Sequence, residues 1–276
     1  MKRATNLFLF ILVLGQIWAT PATAGEARKR ISAMVNDYSD LSAIEAEIRF
    51  GRDLSARILG NYRLLADDDK HRYIGLVGTG IAQYAGRPEL TFHFGILATD
   101  EINAFAAPGG YVFITTGALQ QMENEAELAA VLGHEIAHIV ERHVVKRLNI
   151  KGDQGSAAGG FASMIGGATG SFREAFEQSM QQAEEILFKK GYEIQEEIEA
   201  DLFGIQLSAA AGYSPEALRT FLARCNRFES GESLTDAEHP PHEVRISKMD
   251  ELLQAQGLRN GSNAKMKERF YGYMQP

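Results

Sequence analysis

The sequence of 276 residues contains a single cysteine, Cys225, so no disulfide can form within the chain. Cys225 follows Leu218, Phe221 and Leu222 at helical spacing, which indicates a buried apolar side chain rather than a nucleophile. The sequence therefore gives no support to a cysteine protease. The lack of a cysteine after the N-terminal apolar run also excludes lipid attachment at that point.

Long hydrophobic runs are missing beyond the N-terminus. A short apolar run from Leu7 to Leu14 follows two basic residues and precedes the small-residue motif Ala22-Thr23-Ala24. This pattern is typical of a secretory signal peptide cut after Ala24, and the run is shorter than the about 20 residues that a membrane span needs. We expect residues 1–24 to be a signal peptide and residues 25–276 to form a single exported domain, periplasmic or secreted. Such a domain has no integral membrane span, although peripheral association with a membrane stays open.

Basic residues are in the minority, with 28 lysines and arginines against 36 acidic residues. Residues 1–24 contain two basic and no acidic residues, so their removal leaves 26 against 36 and a formal net charge of about −10. This balance gives no reason to expect nucleic acid as a partner. Repeats of about 34 residues, which would indicate an array of helical repeats, are also missing.

The most informative segment reads Gly133-His134-Glu135-Ile136-Ala137-His138. It lies within a predicted amphipathic helix from Glu123 to Val145, for which Asn124 is a suitable cap. Two histidines four residues apart on a helix point the same way and suit one tetrahedral zinc ion per chain. Glu135 would stand beside the open coordination position, where it could take a proton from a metal-bound water. The segment therefore predicts a metallopeptidase site.

A catalytic zinc ion usually takes three protein ligands, so another residue should complete the site. A second predicted helix, from Gly191 to Ala211, contains five acidic residues: Glu193, Glu196, Glu197, Glu199 and Asp201. Glu197 and Asp201 are four apart, so Glu197 can bind the metal while Asp201 accepts the outer N–H of a ligating histidine. Glu193 and Glu196 are acids in an early helical turn, where the helix dipole favours them. Spacing alone favours Glu197 as the third metal ligand only modestly over Glu193 and Glu196.

These residues resemble a known family. His134-Glu135-x-x-His138, followed by Glu197-Ile198-Glu199-Ala200-Asp201, is similar to the motifs of the HtpX-like peptidases, family forty-eight of the metallopeptidase class. Further similar segments occur in the family's order: Ile102–Val112, Thr116–Leu119, Ala211–Pro215, and the late His239-Pro240-Pro241 with Arg245. The resemblance covers residues 45–256. It implies a gluzincin in which His134, His138 and Glu197 hold zinc, Glu135 is the general base and acid, and Asp201 supports the ligands.

His239 and Arg245 lie beyond the second ligand helix. A peptidase of this family needs a hydrogen-bond donor for the oxyanion of the tetrahedral intermediate, and these two residues could be the donors. Alternatively, His239 could fill the fourth position of the zinc ion and exclude water, which would make the protein a latent enzyme. A loop histidine without any contact to the metal is the third interpretation.

The remaining patterns predict a mainly helical α+β fold of the zincin type, with a small β-sheet beside the HExxH helix. Helices are predicted over residues 45–60, 67–85, 216–228 and 243–256. Strands are predicted over Leu90–Ala98 and Tyr111–Thr116. Peptidases of this kind bind an extended peptide at an exposed sheet edge. We assign that edge to the stretch from Asn103 to Ala106, so Asn103, Ala104 and Phe105 are candidate substrate-binding residues; an ordinary turn and strand is the alternative.

Glycine is concentrated in residues 151–170, which connect the two ligand helices. Such a composition weakens a regular helix, and we expect either a lid over the site or a linker.

Taken together, the sequence predicts an exported zinc endopeptidase that acts on unfolded or misassembled envelope proteins. The reaction follows from the motif and its spacing, whereas the substrate class follows from the family resemblance. The competing hypothesis is a chaperone or assembly factor without proteolytic activity, in which His239 closes the metal site.

Overall fold

A computed structural model describes residues 41–150, 170–229, 242–256 and 264–274, which form helices around a three-stranded sheet. The helices are α1 (Leu41–Asn61), α2 (Asp68–Ala82), α3 (Thr116–Gln121), α4 (Glu125–Val140), α5 (His143–Arg147), α6 (Gly170–Glu185), α7 (Ile194–Ala210), α8 (Ala217–Glu229), α9 (His242–Gln256) and α10 (Ala264–Met274). A π-helical turn, Ile186–Lys190, follows α6. This mainly helical α+β architecture confirms the predicted fold class. The predicted signal peptide, residues 151–169 of the glycine-rich segment, and His239 lie outside the described residues.

The sheet contains β1 (His93–Leu97), β2 (Ala104–Ala107) and β3 (Tyr111–Thr115) in the order β1-β3-β2. β3 is parallel to β1 and antiparallel to β2, with Phe105 paired to Phe113. A tight turn of Pro108-Gly109-Gly110 joins β2 to β3, and both glycines have positive φ angles, 76° and 103°. The structure thus places β2, which overlaps the stretch predicted to form a sheet edge, at the edge of this sheet.

Helix α4 begins as the sequence predicts. The side chain of Asn124 accepts hydrogen bonds from the backbone N–H groups of Ala126 and Glu127, and Glu125 and Glu127 occupy the first turn. Every residue of α4 is buried, so the helix is the central element of the fold. A helix that is buried all round must have its polar residues paired.

The end of α4 differs from the prediction of one helix reaching Val145. The helix stops at Val140, and Arg142 adopts a left-handed conformation with φ 57° and ψ 38° before α5 begins at His143. Arg142 and Arg87 both contact the fully buried carboxylate of Glu47, at 3.2 and 3.1 Å respectively. Glu47 lies in α1 and Arg87 lies in the loop after α2. The local sequence around Arg142 therefore does not reveal these contacts.

The N-terminus of α4 is fixed by contacts to three other parts of the chain. The buried carboxylate of Glu125 accepts hydrogen bonds from the hydroxyls of Tyr73, at 2.7 Å, and Tyr213, at 2.9 Å. Arg269 of α10 also donates to it. Burial opposes ionisation of Glu125, but these donors outweigh it and lower its pKa. Helix α10, which this ion pair attaches to the core, was not predicted from the sequence.

Helix α7 packs along α4 at a contact between two glycines. A Cβ atom on Gly204 would lie 2.7 Å from the backbone nitrogen of His134, and one on Gly133 would lie 2.9 Å from the carbonyl oxygen of Gly204. The two backbones therefore touch at this point. Their approach brings the acidic residues of α7 within reach of the histidines of α4. Within the described ranges, no helix combines the length and apolarity that crossing a membrane requires.

Candidate metal centre

Three side chains from two helices converge on one point. His134 and His138 come from α4 and Glu197 from α7; all three are buried, and their candidate ligand atoms lie within 4.8 Å of one another. The Nε2 atoms of the histidines are 3.1 Å apart, and Glu197 oxygens lie 3.5 Å from His134 and 3.9 Å from His138. Ligands about 2.0–2.1 Å from a tetrahedral zinc ion are roughly 3.3 Å apart. The distances between these three residues therefore fit a zinc ion. Their chemistry fits as well, because imidazole and carboxylate groups are usual zinc ligands.

The outer nitrogen of each histidine also has a neighbour. Nδ1 of His134 lies 2.9 Å from Oδ1 of Asp201, which is the contact that its predicted supporting role requires. Nδ1 of His138 lies 2.8 Å from Nδ1 of His143. In both rings the Nε2 atom is thus left to face the shared centre. Partners of this kind fix the orientation and tautomer of a metal-binding histidine.

Arg245 contacts both acids of the site. Its Nε and Nη2 atoms donate to Asp201 at 2.8 and 2.7 Å, and Nη1 lies 2.8 Å from Glu197. Burial opposes ionisation of Asp201, yet Arg245 and His134 lower its pKa to about 2. Arg245 was predicted, together with His239, as a possible donor to the oxyanion, whereas all three of its guanidinium nitrogens face carboxylates here. The geometry instead favours a role in holding Glu197 and Asp201 in place.

Glu135 stands beside the ligands without joining them. Its buried carboxyl borders the same cavity as His134 and Glu197. Burial raises its pKa to about 7, and a bound divalent cation would lower it again by favouring the charged form. A carboxylate beside the metal ligands can accept a proton from water and later return it.

Two neighbours of His138 were not identified from the sequence. In a continuous helix His143, nine residues after His134, would lie about half a turn out of phase with the ligands. The break at Arg142 instead places it against His138. Its Nε2 atom lies 3.5 Å from the carboxylate of Glu199, and burial lowers its pKa to about 4. The ring of Tyr192 stacks on His138 with 3.9 Å between centroids. Nothing in the local sequence signals either contact, because both depend on where the chain turns.

The centre opens into a cavity of about 120 Å³. Asn103, Ala104 and Phe105, at and just before the start of β2, form part of its lining together with His134 and Glu135. The structure thus brings the predicted substrate-binding residues to the cavity of the predicted metal site. His239 lies outside the described residues, so its place relative to the centre stays a prediction.

Two histidines one turn apart, a glutamate beside the first and a third ligand from a second helix define a zincin-type metallopeptidase site. Comparison with known proteins identifies the particular family. The model of peptidase family M48 matches residues 68–253, which is more than half of the chain. The chain belongs to this metallopeptidase family, and the resemblance seen in the sequence is confirmed.

The individual relatives include bacterial proteins and mitochondrial proteins of eukaryotes. The Beta-barrel assembly-enhancing protease of Escherichia coli (strain K12) is 28% identical over 265 residues, covering 89% of this chain and 51% of that protein. The Mitochondrial metalloendopeptidase OMA1 of Schizosaccharomyces pombe is 28% identical over 236 residues, covering 82% of this chain and 66% of that protein. The chain therefore spans about half the length of the bacterial relative.

Proposed function

We propose that this protein is an exported, zinc-dependent endopeptidase that hydrolyses peptide bonds of unfolded or misassembled envelope proteins. The observation that carries the proposal is the convergence of His134, His138 and Glu197 beside the buried carboxyl of Glu135. The signal-peptide pattern of residues 1–24 supports export. The name of the Escherichia coli relative, which refers to β-barrel assembly, supports an envelope substrate.

The residues of the chain divide the reaction between them. A zinc ion held by His134, His138 and Glu197 would supply Lewis acidity to the scissile carbonyl and the attacking water. Glu135 takes a proton from the water and passes it to the departing amine. The edge strand β2 holds the peptide in an extended form through backbone hydrogen bonds, which give affinity with little sequence preference. His239 is proposed to donate to the oxyanion, whereas Arg245 keeps Glu197 and Asp201 oriented.

Substitution Glu135→Gln tests this proposal. Because the amide cannot accept a proton but keeps the shape of the side chain, casein cleavage should fall by at least about 100-fold while zinc content stays unchanged. Cleavage is measured on fluorescently labelled casein and zinc by elemental analysis of the purified protein. The control is Glu251→Gln on the surface of α9, where the exposed carboxylate contacts Lys248, and it should retain wild-type cleavage.

The same variant separates the enzyme from the alternative, an assembly factor without proteolytic activity. If Glu135→Gln restores envelope function to a deletion strain as fully as wild type, proteolysis is not the main role of the protein. Loss of casein cleavage together with loss of that function supports the proposed activity. Cell fractionation with and without residues 1–24 tests export separately.

A further inference from the structure

The hydroxyl of Tyr192 is a buried polar group at the metal centre. Its oxygen is shielded from solvent, and no described residue forms a hydrogen bond with it. Tyr192 borders the same cavity as His134 and Glu135. A buried hydroxyl without a partner destabilises a fold. Its position beside the cavity therefore favours a partner that enters the cavity.

Two contacts hold the ring of Tyr192 in place. The ring stacks on His138, with 3.9 Å between the centroids and 19° between the planes. The guanidinium of Arg147 lies over the ring, 6.0 Å from its centroid, and Nη1 of the same arginine donates to the carbonyl of Gly191 at 3.2 Å. Gly191 has a positive φ of 65° and follows directly on the π-helical turn. The hydroxyl is thus held beside a metal ligand before any substrate binds, as electrostatic catalysis requires.

The hydroxyl of Tyr192 is suited to donate a hydrogen bond rather than to accept a proton. A tyrosine keeps its proton at neutral pH, since its ordinary pKa is about 10. Burial raises the pKa of Tyr192 well above that value, and the nearby charges of Glu135 and Glu197 add to the rise. During peptide hydrolysis, the group in the cavity that gains negative charge is the oxygen of the scissile carbonyl. This oxygen is the acceptor that a fixed, neutral donor would stabilise most.

We infer that Tyr192 is a catalytic residue whose hydroxyl donates a hydrogen bond to the scissile carbonyl oxygen as that oxygen becomes negative. This inference rests on the proposed peptidase function and adds a residue to its mechanism. As water bonds to the carbonyl carbon, Glu135 takes its proton and the carbonyl electron pair moves to oxygen. When the C–N bond breaks, that pair returns and Glu135 passes the proton to the amine. Tyr192 keeps its own proton throughout and shares the oxyanion with His239.

Substitution Tyr192→Phe tests the inference, because it removes the hydroxyl and keeps the ring that stacks on His138. In the zinc-loaded protein, kcat for a fluorogenic peptide should fall roughly 100- to 1,000-fold, the usual effect of losing one oxyanion donor, while KM changes little. Affinity for zinc, measured by chelator competition, should match wild type. A decrease in zinc affinity as large as the decrease in kcat would overturn the proposal, since Tyr192 would then only position His138.

A transition-state analogue gives a measurement that does not depend on turnover. A phosphinic peptide carries a tetrahedral, negatively charged group in place of the scissile amide, so Tyr192→Phe should weaken its binding by about the same factor as kcat. The matching amide peptide is measured in a Glu135→Gln background, which does not cleave it. Its affinity should be the same with and without Tyr192→Phe. An equal loss of affinity for both peptides would overturn the proposal, because it would indicate a contact made equally in the ground state.

Tyr213→Phe is the matched control. It also removes one tyrosine hydroxyl, but this hydroxyl donates to the buried carboxylate of Glu125 at 2.9 Å and Tyr213 does not border the cavity. Tyr213→Phe should therefore lower Tm and leave kcat at the wild-type value. Tyr192→Phe should show the reverse pattern, with a Tm equal to or above that of wild type.

Failure of this inference and failure of the proposed function give different results. Wild-type cleavage by a folded Tyr192→Phe protein would overturn the catalytic role of Tyr192 and leave the peptidase intact. Cleavage by the wild-type protein no greater than that of Glu135→Gln would overturn the proposed function and with it this inference.

Discussion

At the scale of single residues, the candidate metal ligands are oriented by neighbouring side chains. His138 faces the metal centre through Nε2, so in a zinc-bound neutral ring its Nδ1 atom carries the hydrogen. That hydrogen then points at the Nδ1 atom of His143, 2.8 Å away. His143 then carries its own hydrogen on Nε2, which faces Glu199 at 3.5 Å. This sequence of contacts makes His143 a positioning residue for a ligand.

Substitution His143→Ala should therefore weaken metal binding. Loss of the outer partner of a metal-binding histidine typically costs 10- to 100-fold in metal affinity, and we expect a decrease of that size. Competition with a chromophoric chelator measures the affinity for zinc. A variant that merely lost packing would melt at a lower temperature in the presence of excess chelator but would keep its zinc affinity.

Another histidine provides the control for that measurement. His93 is exposed and stacks on Tyr111 in the sheet, so His93→Ala should bind zinc as wild type does. An unchanged zinc affinity in His143→Ala would show that the 2.8 Å contact does not position His138.

At the scale of elements, the centre depends on how closely two helices approach. Gly204 on α7 faces the backbone of His134, and a Cβ atom there would lie 2.7 Å from a backbone nitrogen. Backbone atoms of a buried helix cannot move aside as a flexible side chain can. The spacing of α4 and α7 therefore sets the positions of Glu197 and Asp201 relative to His134.

Substitution Gly204→Ala should separate the two helices and impair the centre. We expect a loss of about 1–3 kcal/mol in the free energy of unfolding, as is usual when atoms are added to a packed core, together with weaker zinc binding. Urea denaturation and chelator competition measure the two effects. Gly75→Ala in α2 is the matched control: its Cβ would meet nothing within 4 Å, so it should stabilise by up to about 1 kcal/mol. Equal behaviour of the two variants would contradict the proposed role of the helix contact.

The elements also show which features a sequence can reveal. Helix α4, its cap at Asn124, β1 and β3 were predictable because local periodicity and capping chemistry encode them. The HExxH spacing likewise predicted that His134 and His138 lie together, as they do in the structure. The break at Arg142 was not predictable, because it is accompanied by a contact to Glu47 almost a hundred residues earlier. The contact of His143 with His138 depends on that break, so helical phase alone does not reveal it.

At the scale of the whole molecule, the metal centre connects distant parts of the chain. His134 and His138 come from α4, Glu197 from α7, and Arg245 of α9 contacts Glu197 and Asp201. A zinc ion would add a stronger link between α4 and α7, which are separated in the chain by more than fifty residues.

Zinc should consequently stabilise the folded protein as well as support catalysis. A ligand present at about 1,000 times its dissociation constant adds roughly 4 kcal/mol to the free energy of unfolding. For a domain of this size, that corresponds to an increase of roughly 10 °C in Tm. Differential scanning calorimetry of the chelator-treated protein, before and after addition of free zinc to about 1,000 times its dissociation constant, measures the shift. Calcium should give no comparable increase, because it prefers six to eight oxygen ligands.

Two variants determine which residues carry this stabilisation. Glu197→Gln removes a ligand charge, and since a neutral amide binds zinc poorly, most of the increase in Tm should disappear. Glu135→Gln alters an equally buried glutamate that is not a ligand, so its increase should match wild type. If Glu135→Gln also lost the zinc-dependent increase, Glu135 would have to be a ligand, and it could not then act as the general base. A thermal measurement on an inactive protein therefore tests the assignment of the two glutamates without reference to any substrate.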